Sequence, residues 1–139
     1  MIVVDTAVAS ELMRPSPAAA VQDWVRRQDG RDLCTTAITV AEIGYGIDRL
    51  PDGRRKEALK AALAEVFGTF VEQILPFDVA AAGEYALVVS HRDVVGLPIE
   101  GFDAQIAAIC RARGAALATR NQADFRETGV KVINPWRAR

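Results

Sequence analysis

The sequence predicts an α/β fold in which helices cover both faces of a mainly parallel β-sheet. Short apolar segments such as residues 1–4 have the β-branched composition of strands that are buried on both faces. These segments alternate with longer segments of helical pattern, and such alternation is typical of crossover units. Half of the 139 residues are hydrophobic, which is enough for one continuous core. We therefore expect a three-layer α/β/α domain that spans residues 1–139.

Apolar periodicity and turn residues predict the bounds of the elements. The strands are expected at 1–4, 33–35, 74–76, 115–118 and 130–133. Five helices are expected at 7–13, 18–28, 39–47, 54–70 and 102–113. A sixth helix follows Asp78, a residue suited to its N-cap, and runs to about Val89 or His91. Gly114 is expected to end the helix that precedes the fourth strand.

The charge and the N-terminus narrow the class of protein. The net charge is −1 and the pI is near 5.8, so a protein that binds nucleic acid mainly through many phosphate contacts is not expected. The first residues lack the basic lead of a secretory signal peptide, and no apolar run has the length of a membrane span. Cys34 and Cys110 lie far apart in apolar segments and are expected to be buried thiols. These features together favour a cytoplasmic protein that does not act at a membrane.

Polar residues follow several predicted strands, where parallel α/β sheets bind their ligands. Asp5 follows the first strand, and Glu42 is expected in the first turn of the helix after the second. Asp103 begins the helix before the fourth strand. The polar residues that follow the fourth strand are Thr119, Asn121 and Asp124. Four carboxylates are therefore expected to meet at one edge of the sheet.

Each of these residues also has a structural interpretation. Asp5 is suited to cap the next helix, and Thr39 with Glu42 matches the capping-box pattern. Asp103 in a first turn would complement the helix dipole, and Asn121 with Asp124 would suit a polar turn.

Two patterns favour a functional site over these structural interpretations. Asp103 shares a helical face with apolar residues, so its carboxylate should lie at the rim of the core. Glu42 is the sole acid in the helix expected at 39–47, and neither segment offers an obvious Lys or Arg partner. Crowded carboxylates resist ionisation, and a divalent cation removes that conflict. Ligands that are all oxygen favour Mg²⁺ or Mn²⁺, and a metal-activated water at such a site is suited to phosphodiester hydrolysis. Thr119 and Asn121 would then hold the phosphate or a water by hydrogen bonds.

Five segments together resemble a PIN domain nearly from end to end. The first is the opening strand and acid at 1–6, and the second is the small-residue run that ends at Glu42. The third is the Asp103 motif at 102–108, the fourth spans 118–125, and the closing strand and tail at 132–136 resemble the FitB-like branch of the VapC toxins. The chain departs from the family at Ala7, where Asn is frequent, and carries Asn121 where some members have an acid.

The resemblance implies a Mg²⁺-dependent endoribonuclease that is the toxin of a type II toxin–antitoxin pair. It implies a catalytic set of Asp5, Glu42, Asp103 and Asp124, with Asp5 and Asp103 as the metal ligands. Thr6 would support this site with the polar residues that follow the fourth strand. It also implies a sheet order of 3-2-1-4-5, an RNA substrate, a VapB-type antitoxin that blocks the site, and a homodimeric toxin within a larger assembly.

Two other functions remain as alternatives. A non-catalytic PIN-like module would bind partners only, but it would have no reason to keep four acids crowded together. An aspartyl-phosphate phosphatase also begins with a strand that ends in Asp, but Ala7 stands where its second Asp would be. The apolar residues of 54–70 either pack on the sheet or form a partner surface.

Overall fold

The computed structural model describes residues 1–70 and 73–137. The strands are β1 (Ile2–Val4), β2 (Leu33–Thr36), β3 (Ile74–Leu75), β4 (Ala116–Ala118) and β5 (Val132–Ile133). The helices are α1 (Thr6–Leu12), α2 (Ala19–Arg27), α3 (Ala37–Asp48), α4 (Arg54–Gly68), α5 (Val79–Val94) and α6 (Gly101–Arg113). One turn of 3₁₀ helix, Gln122–Phe125, lies between β4 and β5.

The sheet has the order β3-β2-β1-β4-β5, and every pair of neighbours is parallel, as predicted. The central strand β1 pairs with β2 on one side and with β4 on the other, so Val3 lies between Cys34 and Leu117. Because parallel strands end at the same edge, the residues that follow β1 and β4 are neighbours in space. The sheet thereby brings Asp5 and Thr119 together.

Successive strand residues face opposite sides of the sheet, and this alternation builds a core on each face. Val3 packs with residues of α5 and α6, including Val88, Ile106 and Ile109. The next residue, Val4, packs with α1 and α2 on the opposite face, and both strand residues are fully buried. The strands are thus covered on both sides, which explains why their sequences are apolar without alternation.

Helix α3 begins earlier than predicted. It starts at Ala37, because the Thr36 side chain accepts a hydrogen bond from the backbone N–H of Thr39 and caps the helix. The predicted start at Thr39 was therefore wrong. Glu42 lies in the second turn and not in the first, which excludes the capping-box interpretation.

Other element ends agree with the prediction more closely. Asp78 caps α5 by accepting from the N–H of Ala81, and Gly114 ends α6 in the left-handed conformation at φ 63°. Helix α5 continues to Val94, beyond the predicted end, and the chain turns at Gly96, which has φ 75°. The apolar side of α4 packs on the core through Phe67, so packing of this segment is confirmed.

Both cysteines are free and buried, as predicted. Among the described residues, no helix is both long and apolar enough to cross a membrane.

Truncation of a central strand residue tests this arrangement. Leu117 of β4 is fully buried between the two helical layers, whereas Leu87 of α5 is 58% exposed. Leu117→Ala should lower the free energy of unfolding by about 2–5 kcal/mol, because it removes buried methyl groups and leaves a cavity. Leu87→Ala should change it by less than about 0.5 kcal/mol. Urea denaturation measures both, and equal losses would contradict the assignment of the core.

Candidate active site

Asp5 is a buried carboxylate at the carboxyl end of β1. Its side chain accepts a 2.6 Å hydrogen bond from the hydroxyl of Thr119, and its residue is 4% exposed. The backbone N–H of Asp5 donates to Ala118 O at 2.9 Å, which joins the ends of β1 and β4. Asp5 occupies the N-cap position of α1, but its side chain makes no capping hydrogen bond. Capping of α1 therefore does not account for this buried carboxylate, which is available for another role.

Thr119 orients Asp5. It is fully buried, its hydroxyl donates to the Asp5 carboxylate, and the same oxygen accepts a 3.1 Å hydrogen bond from the backbone N–H of Asn121. The sequence left open whether Thr119 contacts phosphate or supports the site, and its buried hydroxyl here donates to Asp5. Asn121 is exposed at the same edge of the sheet.

A second threonine holds the second acid. The hydroxyl of Thr6, in the first turn of α1, donates to Glu42 Oε1 at 2.7 Å. Glu42 is half-buried on α3, so this hydrogen bond joins the helix after β1 to the helix after β2. Each of these two acids is thus fixed by the hydroxyl of a neighbouring element.

Asp103 lies in the first turn of α6, half-buried at the rim of the core as predicted. The helix is capped by Glu100, whose carboxylate accepts a 3.2 Å hydrogen bond from the backbone N–H of Asp103. Glu100 was not among the predicted site residues. Its position three residues before Asp103 was the available signal, but Glu is not one of the preferred N-cap residues and the segment looked like a loop.

Asp124 approaches the other acids from the 3₁₀ turn after β4. It is exposed, and its backbone N–H donates to Asn121 O at 3.1 Å, so the polar-turn interpretation describes the backbone here. Its charge nevertheless acts on both Asp5 and Asp103, whose pKa values it raises. The turn therefore brings the fourth predicted acid into the same electrostatic environment as the first and third.

Burial, together with neighbouring acids, raises the pKa values of three of the acids. Burial raises the pKa of Asp103 to about 7, and the charges of Asp5, Glu100, Asp124 and Glu42 add to this effect. Burial also raises the pKa of Asp5, although the hydrogen bond from Thr119 opposes it. The pKa of Glu42 is raised by burial and by neighbouring acids, against the hydrogen bond from Thr6. Five carboxylates thus share one edge of the sheet.

The donor set suits a hard divalent cation. Within residues 1–70 and 73–137, Asp5, Glu42 and Asp103 form no salt bridge with a Lys, Arg or His side chain. In the same part of the chain, no three potential ligand side chains are close enough to hold one metal ion together. Mg²⁺ usually binds one or two carboxylates and completes its shell with water and substrate phosphate, so it does not need three protein ligands. Carboxylate oxygens with raised pKa values and without a cationic partner fit this requirement.

Comparison with known proteins agrees with the fold. A sequence model of the PIN domain matches residues 2–131. The chain is 40% identical over 139 residues to the plasmid stability protein StbB of Pseudomonas syringae pv. tomato, covering 99% of this chain and 100% of that protein. It is 38% identical over 137 residues to the VapC ribonuclease Y4jK of Sinorhizobium fredii, covering 98% of each.

A solved structure gives the same result. A chain in the crystal structure of FitAcB from Neisseria gonorrhoeae superposes with a TM-score of 0.90 at 36% identity, covering 99% of this chain and 100% of that one. The fold and its acid-lined edge thus define a protein of the PIN-domain class. Within that class, the chain belongs to the VapC family of toxin–antitoxin nucleases, in the branch that includes FitB.

The raised pKa of Asp103 predicts how stability depends on pH without added metal. Folded Asp103 keeps its proton up to about pH 7, whereas the unfolded chain releases it near the ordinary value of 3.8. The free energy of unfolding should therefore fall as the pH rises from about 4 to about 7. Asp103→Asn should remove this part of the loss and be more stable than the wild type at pH 8, with the difference shrinking towards pH 4.

Urea denaturation across that pH range measures the effect. Asp32→Asn serves as the control, because Asp32 is an exposed acid at the opposite, amino end of β2. A constant difference between Asp103→Asn and the wild type at all pH values would contradict the raised pKa.

Proposed function

We propose that this protein is a Mg²⁺-dependent endoribonuclease and the toxin of a type II toxin–antitoxin pair. The observation that carries the proposal is the convergence of four acids at the carboxyl edge of the sheet: Asp5, Glu42, Asp103 and Asp124. Burial and the neighbouring charges raise the pKa of Asp103 to about 7. The relative named VapC ribonuclease Y4jK supports RNA as the substrate.

Asp5 and Asp103 are the proposed metal ligands. Both lie at the carboxyl edge of the sheet, and the charge of Asp5 adds to the burial that raises the pKa of Asp103. A bound Mg²⁺, or Mn²⁺ in its place, would neutralise phosphate charge and lower the pKa of a water molecule. Thr119 keeps the Asp5 carboxylate in one orientation through its 2.6 Å hydrogen bond.

Glu42 is the proposed base. The hydrogen bond from Thr6 occupies Oε1 and leaves Oε2 to position the attacking water and accept its proton. Its raised pKa makes it a better proton acceptor near neutral pH than an ordinary glutamate. The water oxygen forms the new bond to phosphorus as the bond to the leaving oxygen of the RNA breaks, and that oxygen takes up a proton from solvent. Asp124 and Asn121 are exposed beside these groups and are proposed to contact the RNA or water at the edge of the site.

An RNA cleavage assay tests the reaction. The wild type should cut structured RNAs with Mg²⁺ and not with EDTA. Asp5→Asn and Asp103→Asn should each lose roughly 100-fold or more in rate, because each removes a ligand that stabilises charge in the transition state. Asp32→Asn is the matched control and should cleave as the wild type does.

The same preparations distinguish the alternatives. Metal-dependent thermal stabilisation without cleavage of any RNA in the panel would favour a different nucleic-acid substrate. The absence of both would favour the non-catalytic, partner-binding module. The phosphatase alternative gains no support from the structure, since Ala7 occupies the position of its second acid.

An antitoxin of the VapB type is the proposed partner. Structural neighbours at 35–36% identity are the FitAcB complex and FitAB bound to a DNA fragment. A groove of about 390 Å³ between α1, α3 and α4 is lined by Met13, Ile43 and Leu59 and opens beside Glu42. An apolar antitoxin segment in this groove would reach the acids and block them.

The toxin itself is proposed to be a homodimer that acts in the cytoplasm, within a larger assembly when the antitoxin is bound.

Expression in a bacterial host tests the toxic role. Induction of the wild type should stop growth, and induction of Asp5→Asn to the same protein level should not, because growth arrest depends on the intact acidic site. Co-expression of a VapB-type antitoxin that binds the chain should restore growth. Arrest of growth by Asp5→Asn at the wild-type level would show that toxicity does not depend on the proposed reaction.

A further inference from the structure

Arg92 is a buried cation that the proposed mechanism does not use. It lies near the end of α5 and is 5% exposed. Within the described part of the chain, Arg92 has no carboxylate partner in a salt bridge. Burial of an unpaired charge is costly, so a group that holds this guanidinium inside the protein is expected.

The guanidinium contacts backbone carbonyls of two separate segments. Its Nε donates to Leu97 O, in the loop that leads to the Glu100 cap and Asp103. Its Nη1 donates to Asp124 O at 2.9 Å and to Arg126 O at 2.7 Å, in the turn after β4. One side chain therefore connects the two segments that carry three of the five clustered acids.

We propose that Arg92 is a positioning residue that fixes the Glu100–Asp103 segment and the Asp124 turn relative to each other. One of its acceptors is the backbone carbonyl of Asp124 itself, so displacement of the guanidinium displaces that acid directly. Its Nε holds Leu97, whose N–H in turn donates to Arg92 O at 2.8 Å. The expected effect of Arg92 on Mg²⁺ binding and RNA cleavage rests on the proposed function. Its effect on the positions of the two segments does not.

The geometry requires arginine. A guanidinium presents five N–H donors in a rigid planar fork, so it can reach carbonyls that lie in different directions. A lysine has its three donors on one nitrogen at the end of a flexible chain, and it cannot bridge the same separated acceptors in a fixed arrangement. Arg92→Lys therefore keeps the charge and removes the bridge.

Arg111 offers a matched control. It lies on α6, pairs with Glu84 at 2.8 Å, and donates from Nη1 to Thr128 O at 2.9 Å. It thus also holds the segment between β4 and β5 through a backbone carbonyl, but beyond the turn that carries Asp124. Arg111→Lys should affect stability without a specific effect on the acids.

Two measurements test the proposal in the full-length protein. Arg92→Lys should lower the affinity for Mg²⁺ in titration calorimetry and the rate of RNA cleavage by roughly 10- to 100-fold, the range for residues that orient metal ligands. Arg111→Lys should leave the Mg²⁺ affinity and the cleavage rate within about threefold of the wild-type values. This should hold even if Arg111→Lys lowers thermal stability as much as Arg92→Lys does. Arg92→Gln, which keeps amide donors without the charge, is the second variant.

Hydrogen–deuterium exchange keeps the inference separate from the proposed function. Arg92→Lys should speed exchange in both 95–103 and 121–126, whereas Arg111→Lys should speed it only in 126–131. If the wild type neither binds Mg²⁺ nor cleaves RNA, the proposed function fails, and the exchange pattern alone decides the role of Arg92. The proposal is overturned if Arg92→Lys leaves either segment unchanged. It is also overturned if both Arg92 variants fail to fold, since the residue then holds the fold and not the site.

Discussion

Burial of carboxylates that also repel one another is the constraint on which the acidic edge depends. Like charges that are removed from water resist ionisation, and Asp103 shows the result most clearly, with its pKa raised to about 7. The fold opposes this repulsion by fixing the acids individually. Thr119 donates to Asp5 and Thr6 donates to Glu42, so each hydroxyl stabilises the charged form of one acid. A divalent cation is the proposed group that would stabilise them together.

Fully buried strand residues lie directly before the residues that form the Asp5–Thr119 contact. Val3 and Val4 are fully buried on opposite faces of β1, immediately before Asp5. Leu117 is fully buried in β4, two residues before Thr119. The two ends of the Thr119–Asp5 hydrogen bond are thereby anchored in rigid, adjacent strands. The other acids lie on helices and in a turn, where longer-range contacts such as those of Arg92 determine their positions.

Most of the fold could be predicted from the sequence because local patterns determine it. Strands that are buried on both faces have continuous apolar sequences, and Asp78 and Gly114 end their helices by short-range chemistry. The start of α3 could not be predicted as well, since Thr36 and Thr39 are both capable caps and only the backbone decides between them. The positions of the acids after β1 and β4 could be predicted from sheet topology. The effect of Glu100 on Asp103 could not, because it depends on the path of a loop. Thr119 was predicted at the site, but its partner could not be, because the hydrogen bond to Asp5 joins residues 114 positions apart.

The crowded acids are proposed to form a site for a divalent cation in which Asp103 loses its proton on binding. Titration calorimetry with Mg²⁺ at pH 7, repeated in buffers of different ionisation enthalpy, counts the protons that binding releases. Because Asp103 with a pKa of about 7 is half protonated there, we expect release of about half a proton per ion, falling towards zero at pH 9. Absence of Mg²⁺ binding, or binding with the same proton release in Asp103→Asn, would contradict it.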